Sequence, residues 1–189
     1  VIGGGAREHA LVARLASEDN ITDLLCAPGN PGISRLATTA PVGAATQADV
    51  EALLALADRK RIDLTIVGPE LPLSLGIADR FAAEGRPLLG PTAAAARLES
   101  SKAFAKAFMA RHHVPTARFE TSDTIARALD VVRSGSFGFP VVLKADGLAA
   151  GKGVVIAEDR DTAQASIIAT MGEHQFGSAG DRLVIEECL

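Results

Sequence analysis

Apolar residues in the first ninety positions come as short runs separated by stripes at helical spacing. Val1-Ile2 leads into Gly3-Gly4-Gly5, and Ala10, Leu11, Ala13, Leu15 and Ala16 follow with a helical period. This order reads as strand, glycine turn and helix. Residues 24–27 make a second short apolar run, closed by Pro28-Gly29-Asn30-Pro31-Gly32. Between Asp49 and Lys60, the positions Val50, Leu53, Leu54, Leu56 and Ala57 mark one helix face, with Asp49 near its start. Residues 64–67 read as a strand ending at Gly68-Pro69-Glu70. A helix over about 74–84, a strand over 87–89 and Gly90-Pro91-Thr92 come next. The alternation predicts a Rossmann-like parallel sheet with helices on both faces.

The pattern changes after Thr92. Residues 93–99 and 101–111 read as two helices, and His113-Val114-Pro115-Thr116 breaks the run. Beyond it lie a strand near 118–120, a helix over 122–134 and a strand over 141–144. The glycine-rich stretch 146–153, a strand over 154–157, a helix over 161–171 and a strand over 183–186 complete the order. This second part reads as a small α+β lobe. The expected division is residues 1–113, with the connecting helices, and residues 114–189. Val1-Ile2-Gly3 reads as the tail of a strand begun upstream, and Leu189 follows directly on the last strand.

Composition narrows the partners. Hydrophobic residues are 48% and charged residues 22%, with much Ala and neither Trp nor Tyr. The net charge of -4 and a pI near 5.6, with Lys and Arg dispersed among Asp and Glu, leave no basic footprint for nucleic acid. No run of eighteen apolar residues predicts a membrane span, so a soluble, cytoplasmic protein without a membrane partner is expected. Cys26 and Cys188 form no C-x-x-C pair and read as buried or partly buried free thiols. His9, His112, His113 and His174 show no ligand spacing, and no G-x-S-x-G elbow occurs.

Two glycine loops carry the candidate chemistry. Gly3, Gly4 and Gly5 lie between a strand and a helix N-terminus, where backbone N–H groups and the helix dipole favour a phosphate. As a dinucleotide fingerprint the loop fails, because Glu8 stands where a small residue is needed. No acidic residue closes the second strand either. The stretch Gly147-Leu148-Ala149-Ala150-Gly151-Lys152-Gly153 is not a P-loop. Too few residues precede Gly151-Lys152, Gly153 replaces the hydroxyl residue, and a strand follows instead of a helix. It reads as a flap between strands that folds over phosphates. Lys144 ends an apolar strand before this flap, where an ammonium needs a purpose. Lys102 opens a helix after Ser100-Ser101, and Glu70 sits at the carboxyl end of the parallel sheet, where ligands of such sheets bind.

Seven motifs in order then make a pattern. They are Gly3-Gly4-Gly5-Ala6-Arg7-Glu8-His9-Ala10-Leu11, Pro28-Gly29-Asn30-Pro31-Gly32, Val67-Gly68-Pro69-Glu70-Leu71-Pro72-Leu73 and Gly90-Pro91-Thr92. Leu98-Glu99-Ser100-Ser101-Lys102-Ala103-Phe104, the run from Lys144-Ala145-Asp146 to Gly153, and Val184-Ile185-Glu186-Glu187 complete the set. Together they resemble the phosphoribosylamine–glycine ligases (glycinamide ribonucleotide synthetases), ATP-grasp enzymes of purine synthesis. The resemblance implies a pre-ATP-grasp N-terminal domain followed by a first ATP-grasp lobe. It also implies ATP-dependent ligation of glycine to 5-phosphoribosylamine through a glycyl phosphate, with magnesium or manganese in the full-length enzyme.

By the same resemblance, Gly3, Gly4, Gly5, Arg7, Glu8, Asn30 and Glu70 would meet the phosphoribosylamine, Glu70 at its ribose hydroxyls. Lys102 and Lys144 would be the ATP-phosphate lysines, and Gly147, Gly151, Lys152 and Gly153 the mobile flap. Glu186, Glu187 and Leu189 would belong to the hinge whose backbone meets the adenine edge, with Cys188 standing for the commoner aromatic. The family's metal ligands, glycine pocket and second lobe would lie past Leu189. The segment alone is therefore expected to be incomplete and inactive, with no metal ligand and no complete catalytic set. Two other readings compete: another ATP-grasp ligase of the pathway, such as a carboxylase or a formate-using transformylase, and a non-catalytic nucleotide-binding module. The Gly-Gly-Gly-Ala-Arg-Glu-His run argues against the first.

Overall fold

The structure, a computed structural model, describes residues 1–148 and 152–189. The chain divides into two compact units, Val1–Ala96 and Arg97–Leu189. The first runs β1 (Ile2–Gly3), α1 (Ala6–Leu15), β2 (Leu25–Pro28), β3 (Thr38–Thr39), α2 (Gln47–Lys60), β4 (Thr65–Ile66), α3 (Glu70–Ser74), α4 (Ile77–Ala83) and β5 (Leu88–Leu89). Helix α5 (Ala93–Ser100) begins in the first unit and ends in the second. Every pairing is parallel: β1 with β2, β2 with β3, β4 with β5, and a single bridge from Ile2 to Val67. The strand order is therefore β3-β2-β1-β4-β5, reversing direction between β1 and β4.

Successive strand residues face opposite sides, and β2 shows the result. Cys26 packs with Val12 of α1 and Ile33 on one face. Ala27 joins Ile2, Val50, Leu53, Ile77 and Phe81 on the other, beneath α2 and α4. Helix α2 starts at Thr46, whose hydroxyl accepts from Asp49 N while Asp49 Oδ2 accepts from Thr46 N, a reciprocal cap. The helix expected over 74–84 is two helices. It begins earlier, at Glu70, and breaks where Gly76 takes φ 84°.

The second unit holds α6 (Lys102–Arg111), β6 (Phe119–Ser122), α7 (Ile125–Ser134), β7 (Val141–Ala145), β8 (Val154–Ala157), α8 (Arg160–Ile167) and β9 (Leu183–Glu187). Its sheet is antiparallel in the order β6-β9-β7-β8. Val141 and Leu143 of β7, with Leu183 and Ile185 of β9, face α7 and α8 and build the core with Val131, Val132 and Ile167. The register sets Val142 opposite Glu186 and Lys144 opposite Val184, so these four side chains share the other face. Helix α8 loosens into a π turn at Ile168–Gly172, where the sequence predicts one continuous helix. Helix α6 is tied to this sheet, so the structural division falls before it, whereas the sequence expectation drew the line after His113. No described helix is long and apolar enough to cross a membrane.

Arg118 clasps β6 to β9: its N–H and Nε donate to Glu187 at 2.8 and 2.6 Å. These bonds, the backbone one first, hold the Glu187 carboxyl below the usual carboxylate range. A carboxyl depressed in the folded state adds stability above its unfolded pKa, about 4.3, and loses it as pH falls through the lower folded value. Urea midpoints measured from pH 6 to pH 3 should fall less steeply for Glu187→Gln than for the parent. Parallel curves would refute the contribution.

Candidate functional site

Open parallel sheets bind ligands at the carboxyl ends of strands where the order reverses. Here that point lies between the ends of β1 and β4, and both ends are glycine-rich. Gly3 has φ +119°, and a Cβ there would lie 2.6 Å from Glu8 Cγ and 2.9 Å from Pro69 Cδ. A Cβ on Gly68 would also collide with the Glu8 carboxyl. The cause is Glu8 itself: it is buried, at 5% exposure, and its Oε2 accepts from Gly5 N at 2.6 Å. The carboxylate thus caps the first turn of α1 from underneath and holds the loop in shape.

Arg7 and Asn30 complete the rim. Arg7 Nη1 donates to Gly68 O at 2.6 Å and to Glu70 Oε1 at 2.8 Å, spanning the switch point. The hydrogen bond from Arg7 leads the causes that hold the half-exposed Glu70 carboxyl below its ordinary range. Asn30 Nδ2 donates to Gly4 O at 2.9 Å, while its Oδ1 accepts from Gly32 N and Ile33 N. The sequence-predicted residues Gly3, Gly4, Gly5, Arg7, Glu8, Asn30 and Glu70 are therefore gathered at one place, with Glu8 beneath the loop. A cavity of about 70 Å³ in this unit, lined by Val1, Leu25, Ala27, Leu53 and Phe81 among others, touches none of them.

In the second unit the charged residues meet on the sheet face away from α7 and α8. Glu186 is 3% exposed. Lys106 Nζ lies 2.5 Å from its Oε2 and Lys144 Nζ lies 2.6 Å from its Oε1. The two lysines differ in their surroundings. Lys106, itself buried, also donates to Thr116 Oγ1 at 2.8 Å and Ala117 O at 3.2 Å. Glu186 Oε1 has no hydrogen-bond partner, so its approach to Lys144 is a charge contact without a directed bond. Val154 and Ile156 of the edge strand β8 pair with Lys144 and Val142 and stand exposed beside them.

Lys102 is on the same unit, at the start of α6, and its Nζ donates to Gly147 O at 2.8 Å. Asp146 sets this geometry: its Oδ1 accepts from Ala103 N at 3.1 Å and its Oδ2 from Ser101 Oγ at 3.2 Å. A carboxylate on the first turn of a helix is favoured by the dipole. Lys152 is exposed and Gly153 buried, with Gly153 O accepting from Ala145 N. Gly151 lies outside the described residues. Glu187 is engaged by Arg118, and Leu189 is 95% exposed. Cys188 is exposed, contrary to the expectation of a buried or partly buried thiol, because it follows the last strand residue; Cys26 is buried. Asp146 and Lys106 were missed from the sequence. Asp146 was legible as the one carboxylate between Lys144 and Gly147; Lys106 left only its spacing of one helical turn from Lys102. Among the described residues no group of three or more His, Cys, Asp or Glu is placed to hold a metal ion.

A parallel α/β unit followed by an antiparallel lobe with α6, a glycine stretch and paired lysines is the architecture of an ATP-grasp protein. Solved structures agree on the fold: a biotin carboxylase domain of 2-oxoglutarate carboxylase from Hydrogenobacter thermophilus covers the whole chain at TM-score 0.76 and 18% identity, with 43% of its own length matched. Residues 1–99 match the phosphoribosylglycinamide synthetase N domain, and residues 100–189 match its ATP-grasp (A) domain. The chain belongs to the phosphoribosylglycinamide synthetase family. It is 49% identical to a phosphoribosylamine–glycine ligase from Xylella fastidiosa and 47% identical to one from Pasteurella multocida. In both cases all of this chain and 43% of the relative are aligned. The crystal structure of a phosphoribosylamine–glycine ligase from Thermotoga maritima matches the whole chain at TM-score 0.71 and 28% identity, again over 43% of its length. The chain thus spans less than half the length of these relatives.

Two substitutions test the two buried carboxylates. Gly3→Ala forces a side chain into positive φ and against Glu8, and should cost about 1–3 kcal/mol or more in urea unfolding. Glu186→Ala strands Lys106 in the interior and should cost about 3–5 kcal/mol. A loss under about 1 kcal/mol in either case would contradict the packing described.

Proposed function

We propose that this chain supplies the sugar-phosphate platform and the first nucleotide-binding wall of a ligase. The reaction joins glycine to 5-phosphoribosylamine with ATP, giving glycinamide ribonucleotide, ADP and phosphate. The observation that carries the reading is the convergence of Lys102 and Lys144 on the root of the glycine stretch, one bonded to Gly147 O and the other two residues before Asp146. Family membership narrows it to this ligation. The same reading puts the protein in the cytoplasm, with small molecules as its partners.

Each residue then has a task. Phosphate groups of ATP lie near Lys102, Lys144 and Lys152, under backbone N–H groups of Gly147 and Gly153. The adenine rests against Val142, Val154 and Ile156, and its edge meets the main chain around Glu186, Glu187 and Leu189. In the first unit the phosphoribosylamine phosphate sits at Gly3, Gly4 and Gly5, at the positive end of the α1 dipole. Arg7 and Asn30 hold the loop, and Glu70 accepts from ribose hydroxyls. Glu8 acts through the loop it caps.

In the ligation, a glycine carboxylate oxygen attacks the γ-phosphorus and ADP departs, leaving glycyl phosphate. The ribosylamine nitrogen then attacks the acyl carbon, and inorganic phosphate leaves as the nitrogen loses a proton. Lysine ammonium groups fixed beside the phosphates favour the charge that moves onto ADP, and cost no reorganisation when it does. Magnesium bound with ATP would supply neutralising charge to the phosphates. Among the described residues no group of three or more His, Cys, Asp or Glu is placed to hold it.

Titration of the 189-residue chain with ADP and with adenosine tests the nucleotide wall. Lys144→Met should weaken ADP about tenfold and leave adenosine unchanged, the loss expected for one charge-assisted contact. Equal affinities of parent and variant for ADP would overturn the assignment. A second assay, with glycine, phosphoribosylamine and MgATP, should yield no glycinamide ribonucleotide from this chain, because the relatives carry more than half of their length outside the matched region. Turnover would show that the matched region suffices.

A further inference from the structure

Glu186 is one buried carboxylate in contact with two ammonium groups, and the two are not equivalent. A lysine ammonium has three donors. Lys106 spends two of its donors on Thr116 Oγ1 at 2.8 Å and Ala117 O at 3.2 Å, and its charge lies 2.5 Å from Glu186 Oε2. Its side chain is 8% exposed, so it is anchored by neutral acceptors as well as by the carboxylate and shut away from any ligand. Lys144 is 29% exposed and, among the described residues, touches one polar group, Glu186 Oε1. One negative charge facing two positive charges leaves the cluster with an unmatched cation, and Lys144 is the one that reaches the surface.

From this we infer that Lys106 is a positioning residue for Lys144. Its ammonium is the fixed counter-charge of Glu186, which leaves the Lys144 ammonium to an incoming phosphate. The inference rests on the nucleotide reading given above. Without Lys106, Lys144 would be the sole counter-ion of a buried carboxylate. Drawing it away would then expose an uncompensated charge in the interior, a strongly unfavourable state. Lys144 would stay on Glu186 and the phosphate would lose its partner. The site therefore needs a lysine that no ligand touches.

The experiment compares ADP with adenosine, since their affinity ratio isolates the phosphate contribution from changes at the adenine edge. The 189-residue chain is titrated as parent, Lys106→Met, Lys106→Arg and the double variant Lys106→Met/Glu186→Gln. Lys106→Met should lower the ratio about tenfold, the loss expected when one charge-assisted contact goes. Lys106→Arg keeps the charge and should keep the ratio within about twofold. The double variant removes acid and counter-charge together, and its ratio should return to within about threefold of the parent value. A folded Lys106→Met with the parent ratio would overturn the inference, since Lys106 would then be structural only. A double variant as weak as Lys106→Met would overturn it differently, by showing that Lys106 meets the phosphate itself. If Lys106→Met does not fold, the double variant decides alone: a parent-like ratio supports the inference and a lost one refutes it. A parent that binds ADP no more tightly than adenosine would remove the nucleotide reading and this inference with it. A parent that does discriminate separates the two.

Discussion

A carboxylate withdrawn from water must find cations or donors at close range, and each unit of this chain is arranged around one such group. In the first unit the group is Glu8. Its demand for a donor draws Gly5 N–H down onto it, and its bulk sets which residues around it can carry a side chain. In the second unit the group is Glu186. Satisfying it brings α6 onto β9 through Lys106 and turns Lys144 to the same face. Neither carboxylate reaches far into solvent, yet both determine what the solvent-facing residues can do.

The parts of the fold that depend on local sequence were legible. Strand β8 has its predicted bounds, and α2 differs only at its start, where the Thr46 cap begins the helix two residues before Asp49. The split between α3 and α4 was not legible, because Leu73, Ile77 and Phe81 continue one apolar pattern across the break. The Gly76 backbone conformation interrupts the helix without disturbing that pattern. Strand β3 was missed for the opposite reason. Thr38 and Thr39 are exposed and show no periodicity, and β2 alone makes them a strand.

The candidate site divides in the same way. Glycines before a helix and a lysine at the end of an apolar strand announce themselves, since both are costly unless used. Lys106 gives no such sign. On a helix it looks like any solvated lysine, and its burial is created by Thr116, Ala117 and Glu186, which arrive from other elements. Glu8 was visible as a departure from a dinucleotide fingerprint, but its position under the loop comes from the close approach of β4.

The loop at the end of β1 presents main chain and almost nothing else, and Gly3 and Gly68 have no room for more. A surface made of amides offers evolution few handles. On the proposed reading it would recognise an anion by shape and dipole, and no single codon change there can add a hydroxyl, a ring or a charge without displacing Glu8 or, at Gly4, the Gly29 carbonyl. On that reading any drift in which sugar phosphate is accepted would have to be written on the rim, at Arg7, Asn30 and Glu70. Randomised libraries aimed at altered selectivity belong at those three codons, with the glycines left untouched.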